Sequence, residues 1–104
     1  MIQHVVVIRF VDGAPQEAID RFADAVSQLP QKIPGVVDFS CGPDVSKMRS
    51  AEFAENWDFA VMASFHSLDD YKVYADHPAH HALKEQYLAG LLQDRAGVQL
   101  EYSV

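Results

Sequence analysis

Residues 2–11, IQHVVVIRFV, carry β-branched aliphatics on both sides of an extended backbone, and this constrains the fold more than any other feature. Side chains alternate across a strand, so Ile2, Val6, Ile8 and Phe10 share one face while Val5, Val7 and Val11 share the other. Residues 56–66, NWDFAVMASFH, repeat the pattern: Trp57, Phe59, Val61, Ala63 and Phe65 point one way, Ala60 and Met62 the other. A sheet with helices on one side only should alternate apolar with polar residues. Here the second face is apolar too, and large apolar patches are rare on soluble monomers. A chain of 104 residues has little left to cover that face. The simplest cover is the same sheet of a second copy, which predicts a twofold homodimer joined through its sheet faces.

The remaining segments supply the other elements. Asp12-Gly13-Ala14-Pro15 is turn chemistry. Residues 15–29 then take helical period, with Ile19, Phe22, Ala23, Val26 and Leu29 on one face, and Pro30 and Ile33-Pro34-Gly35 close the helix. Residues 35–43 read as a second strand ending at Gly42-Pro43. Residues 44–55, DVSKMRSAEFAE, show no period and read as a long loop, placed to act as a lid over a pocket. Ser67-Leu68-Asp69-Asp70 resembles a capping box and opens a short helix to about Asp76. Pro78 suits the first position of a further helix, expected to run to about Leu92. In residues 96–103, Val98, Leu100 and Tyr102 alternate with Gln99, Glu101 and Ser103 as a last strand. The order β-α-β-β-α-β is the split βαβ arrangement of ferredoxin-like folds. It predicts one α+β domain over residues 2–103, with a four-stranded antiparallel sheet and helices on one face. Two such sheets face to face would make a dimeric α/β barrel.

Charge narrows the partners. Eight Lys+Arg against 15 Asp+Glu give a net charge of −7, which disfavours nucleic acid and anionic membrane surfaces. A small organic ligand remains. One cysteine, Cys41, allows no intrachain disulfide, and Met1-Ile2-Gln3-His4 has no basic leader character. The expected location is the cytoplasm.

Three of the five histidines fall in His77-Pro78-Ala79-His80-His81, and histidine is the side chain that titrates nearest neutrality. Counting from Pro78, His80, Leu83, Tyr87 and Leu91 share the inward helix face. His81 lies about 100° further round and reads as solvated surface. His77 sits at the junction, to cap or fix it. His77 and His81 have an i, i+4 spacing, but Pro78 interrupts the helix between them and no Glu or Cys stands at a matching offset. No metal and no cofactor is expected. His4 lies within aliphatics on the Ile2/Val6/Ile8 face, either as an inward polar group with one partner or as a pocket wall. Tyr71 and Tyr74 share one helix face, as core aromatics or as donors to a developing oxyanion. Asp58 must reach solvent or pair, with a histidine or Arg9 as candidates. Cys41 reads as a small buried residue.

Three segments occur together in order: His4-Val5-Val6-Val7-Ile8-Arg9-Phe10, Ile33-Pro34-Gly35-Val36, and Tyr74-Ala75-Asp76-His77-Pro78-Ala79-His80. With the closing Asp94-Arg95 and alternating strand, this combination resembles the stress-responsive dimeric α/β-barrel (Dabb) domain family across about residues 2–103. The resemblance implies a ferredoxin-like protomer whose sheets pair in a homodimer. It extends to a plant member, olivetolic acid cyclase, which closes a polyketide by aldol condensation without metal or cofactor. By that likeness His80 would be the general base, Tyr74 would position or stabilise the oxygen, and His4 would line the pocket. Where the cyclase has a further pocket histidine, this chain carries Phe59 with Asp58 beside it, which weighs against carrying over the particular reaction. Tyr71, Asp58 and Phe59 join His4 as expected ligand contacts. A stress-response type ligand-binding dimer, a cofactor-free cyclase-like enzyme and a structural domain whose histidines only pack and cap are then the competing readings. A packed His80 with both nitrogens bonded and no adjoining cavity would exclude the enzyme. A cavity flanked by His80, Tyr74 and His4 would support it.

Overall fold

The computed structural model describes residues 1–46 and 57–104. From residue 47 on, the loop expected over 44–55, with its suggested lid role, lies outside the described residues. The elements are β1 (Ile2–Phe10), α1 (Gln16–Ser27), α2 (Leu29–Lys32), β2 (Asp38–Pro43), β3 (Phe59–Phe65), α3 (Leu68–Asp76), α4 (Pro78–Leu83), a π-helical turn (Lys84–Leu88) and β4 (Leu92–Glu101). The four strands form one antiparallel sheet in the order β2-β3-β1-β4. This is the expected α+β ferredoxin-like protomer.

Local chemistry sets the boundaries. Ser67 caps α3, its side chain accepting from the Asp70 N–H at 3.2 Å. Gly35 has φ +92°, a left-handed conformation that delays β2 to Asp38, three residues later than its sequence suggests. The helix opened by Pro78 is shorter than expected. Beyond Leu83 its bonding slips, and the Ala89 N–H donates to the Lys84 carbonyl five residues back. The slip changes the inward phase: Leu83, Leu88 and Leu91 are buried, while Tyr87 is only half-buried. Gly90, at φ +85°, then turns the chain, and β4 starts at Leu92 rather than 96.

The helices cover one face of β1, β2 and β3. Phe22, Leu29, Ile33, Phe59, Phe65 and Tyr74 are the largest fully buried side chains. Phe10, Phe22 and Phe59 pack as an aromatic trio with centroids 5.3–6.1 Å apart. On the opposite face, register places Val5 between Met62 and Val98, and Val7 between Ala60 and Ala96. Met62, Val98 and Leu100 remain 40%, 56% and 45% exposed, so the second apolar face read from the strands is present and uncovered in one protomer.

Candidate functional site

β4 carries its aliphatics outward, so its polar row faces the helices. Gln99 pairs with His4, Gly97 with Val6 and Arg95 with Ile8, all on the helix side of the sheet. Between this wall and the helices opens a cavity of about 420 Å³. His4, Gln99, Tyr71, Tyr74 and His80 give it a polar end. Val6, Ile8, Phe22, Val61 and Leu88 are among its apolar walls.

Each polar side chain is held by its element. His4 is 7% exposed, and its Nδ1 donates to Gln99 Oε1 at 2.6 Å across the β1–β4 pair. Its ring packs on Tyr71 and Tyr74, with centroids 5.0 and 5.8 Å away. Burial lowers the His4 pKa and the Gln99 hydrogen bond opposes that effect, so the ring is neutral at pH 7. The backbone of His77, extended at φ −66° and ψ 138°, ends α3 and begins α4. Its Nδ1 accepts from the Ala79 N–H at 3.0 Å, so His77 caps the helix, and His81 is exposed. This junction turns His80 inward onto Tyr74, ring centroids 4.9 Å apart.

His80 Nδ1 is buried and has no hydrogen-bond partner among the described residues. Burial, followed by the charges of Lys84 and His81, lowers the imidazole from its ordinary 6.5 to about 4, against an opposing hydrogen bond to the Ala75 backbone. Desolvation thus outweighs the single backbone contact. Tyr74 is 2% exposed. Burial, with Tyr71 and Cys41 nearby, raises its phenol to about 12. At neutral pH the site thus offers a neutral imidazole and a protonated phenol side by side. Such a pair can exchange an accepted and a donated hydrogen bond with an enol or phenol, and the Tyr74 hydroxyl alone can donate to a carbonyl oxygen.

Of the six residues singled out in the sequence, the structure brings four to the cavity: His80, Tyr74, His4 and Tyr71. Asp58 and Phe59 lie elsewhere. Phe59 is 2% exposed within the aromatic trio. Asp58 Oδ2 accepts from the Phe10 N–H at 2.9 Å, while its own N–H donates to the Ile8 carbonyl. Its partner is thus the backbone end of β1 rather than a histidine or Arg9, and the Arg9 guanidinium stacks 4.3 Å over Trp57. Among the described residues no group of three or more His, Cys, Asp or Glu could hold a metal, and no helix is long and apolar enough to cross a membrane. The sequence reading missed Gln99, Arg95 and Lys84. The signal for Gln99 was the polar row of the last strand, one of whose two faces must meet the helices.

Comparison with known proteins supplies relatives of the same shape. A dimeric ferredoxin-like protein of unknown function from Thermobifida fusca is 32% identical, with a TM-score of 0.82 over 97% of this chain and 90% of its own. A dimeric protein of unknown function from Bacteroides fragilis, also ferredoxin-like, is 31% identical, with a TM-score of 0.79 over 97% and 95%. A hydroxynitrile lyase from Passiflora edulis shares the fold at 18% identity, with a TM-score of 0.77 over 95% and 90%. No curated protein is similar enough to match. The family model for the stress responsive A/B barrel domain matches residues 2–102, nearly the whole described architecture, and the chain belongs to that Dabb family.

Proposed function

We propose that this protein is a homodimeric domain that binds a small organic ligand in the cavity between β4 and the helices. The observation that carries the reading is the cavity whose polar end includes His80, a ring with a buried Nδ1 that has no hydrogen-bond partner among the described residues. Buried polar atoms in native proteins are nearly always hydrogen-bonded, so such an atom beside a cavity marks a place for a ligand group. Tyr74 supplies a phenol beside it, and His4, fixed by Gln99, lines the same polar end. The dimer follows from the uncovered aliphatics of the outer sheet face and from the dimeric relatives. Two sheets meeting there leave each cavity on the helix side of its own protomer.

A second reading is catalysis without a cofactor, as in the polyketide cyclase likeness. His80 would take a proton from carbon next to a carbonyl, and Tyr74 would donate a hydrogen bond to the oxygen that gains the charge. The contact of the two rings favours it, and a hydroxynitrile lyase shares the fold. An imidazole held at about 4 opposes it, because a general base works best with a pKa near the operating pH. Ligand binding is therefore the primary reading.

A thermal-shift screen of carbonyl- and phenol-bearing fragments against the wild type and His80→Ala tests it. Fragments at about one hundred times their Kd should add about 2.7 kcal/mol to the wild type. They should stabilise the variant much less. Hits that stabilise both proteins equally would remove His80 from the binding site.

A further inference from the structure

We propose that the cavity selects an elongated organic anion, with a carbonyl at the His80/Tyr74 end and a carboxylate at the Arg95 end. The inference rests on the ligand-pocket reading above and names the class of ligand. The chain is net acidic at −7, yet the charged residues lining the cavity are Lys84 and Arg95, both cations. Among the described residues no carboxylate lines it.

The two cations approach from different walls. Lys84 begins the π-helical turn, four residues after His80 and so on the same side of the helix. Arg95 stands on β4 opposite Ile8, two rungs of the inward row from Gln99 opposite His4. Four residues of strand span about 13 Å. The rung between them is Gly97 opposite Val6, where the β4 wall has no side chain. The β4 wall thus runs from the hydrogen-bonding Gln99, past a bare and apolar middle, to the cationic Arg95, while Lys84 stands one turn from His80 on the helix wall. A carboxylate fits the far end because a guanidinium donates to it bidentately. An uncharged ligand of the same shape would make no charge-assisted hydrogen bond to either cation. The acidic surface repels anions from a distance, so selection for one has to come from the charges that line the cavity.

Isothermal titration of 5-oxo-5-phenylpentanoate and its primary amide, against wild type, Arg95→Gln, Lys84→Gln and Tyr74→Phe, tests this. The acid should bind wild type about tenfold or more tighter than the amide, as a charge-assisted hydrogen bond implies. Arg95→Gln should abolish most of that preference and leave amide binding within about twofold, with Lys84→Gln acting in the same direction. Equal binding of acid and amide, both weakened by Tyr74→Phe, would overturn the anion preference and leave the ligand pocket standing. Failure of both probes to bind wild type would overturn the inference together with the pocket reading beneath it. Arg95 is exposed, so its variant should keep the fold, which circular dichroism verifies.

Discussion

Protonating His80 should cost the folded state stability in a defined pH window. The unfolded chain takes up this proton near 6.5, whereas the folded protein resists until about 4. A depressed folded pKa means that the histidine's contribution is intact above 6.5 and is lost progressively as pH falls toward about 4. At about 1.36 kcal/mol per pKa unit, the full shift would be worth about 3.4 kcal/mol. The ring is partly open to solvent, and screening brings the realistic loss to about 1–2 kcal/mol. His4, also lowered by burial, adds a loss of the same sign. Urea titrations at about pH 7.5 and about pH 4.5, at one protein concentration, would measure it for wild type and His80→Gln. Glutamine does not titrate, so the variant should lose about 1–2 kcal/mol less than wild type between the two conditions. Equal losses would refute the argument, because His80 would then be free to protonate in the folded protein.

Other outcomes follow from the packing. Asp58→Ala should destabilise by about 1–3 kcal/mol, since it strands the Phe10 N–H; urea unfolding measures it, and affinity for any cavity ligand should stay unchanged. Phe59→Ala should cost about 3–5 kcal/mol by emptying the centre of the aromatic trio; a loss under 1 kcal/mol would contradict its core role. Met62→Asp with Val98→Asp should yield a monomer by analytical ultracentrifugation, because both side chains belong to the proposed sheet-face interface. A double variant that stays dimeric would place the interface elsewhere.

Much of the architecture was legible because alternation along β1 and β3 is strong. Both apolar faces could be read from Val5, Val7 and Met62 without knowing the partner strands. β4 was harder. Its alternation was plain, but periodicity does not say which row faces the helices, so Gln99 and Arg95 were not assigned to a site. The site's histidines were separable because Pro78 fixes the helix start, leaving His77 as cap and aiming His80 inward. That geometry gave no warning of how far burial lowers His80, since desolvation is a property of the packed site. The slip to π bonding at Lys84 was also hidden, and it carried the inward phase from Tyr87 to Leu88. Asp58 misled for a related reason. A carboxylate in an apolar strand has to find a partner, and the partner was a backbone N–H at the end of the neighbouring strand.

The central claim is that a ligand group in the cavity meets the His80 ring. Ring-nitrogen NMR of histidine-labelled protein, recorded with and without the best stabilising fragment, tests it most directly. Binding should shift the His80 ring signals by far the most, with a smaller change at His4 and little at His77, whose Nδ1 already accepts from Ala79. A fragment that binds in saturable fashion yet leaves the His80 ring signals unmoved would contradict the account.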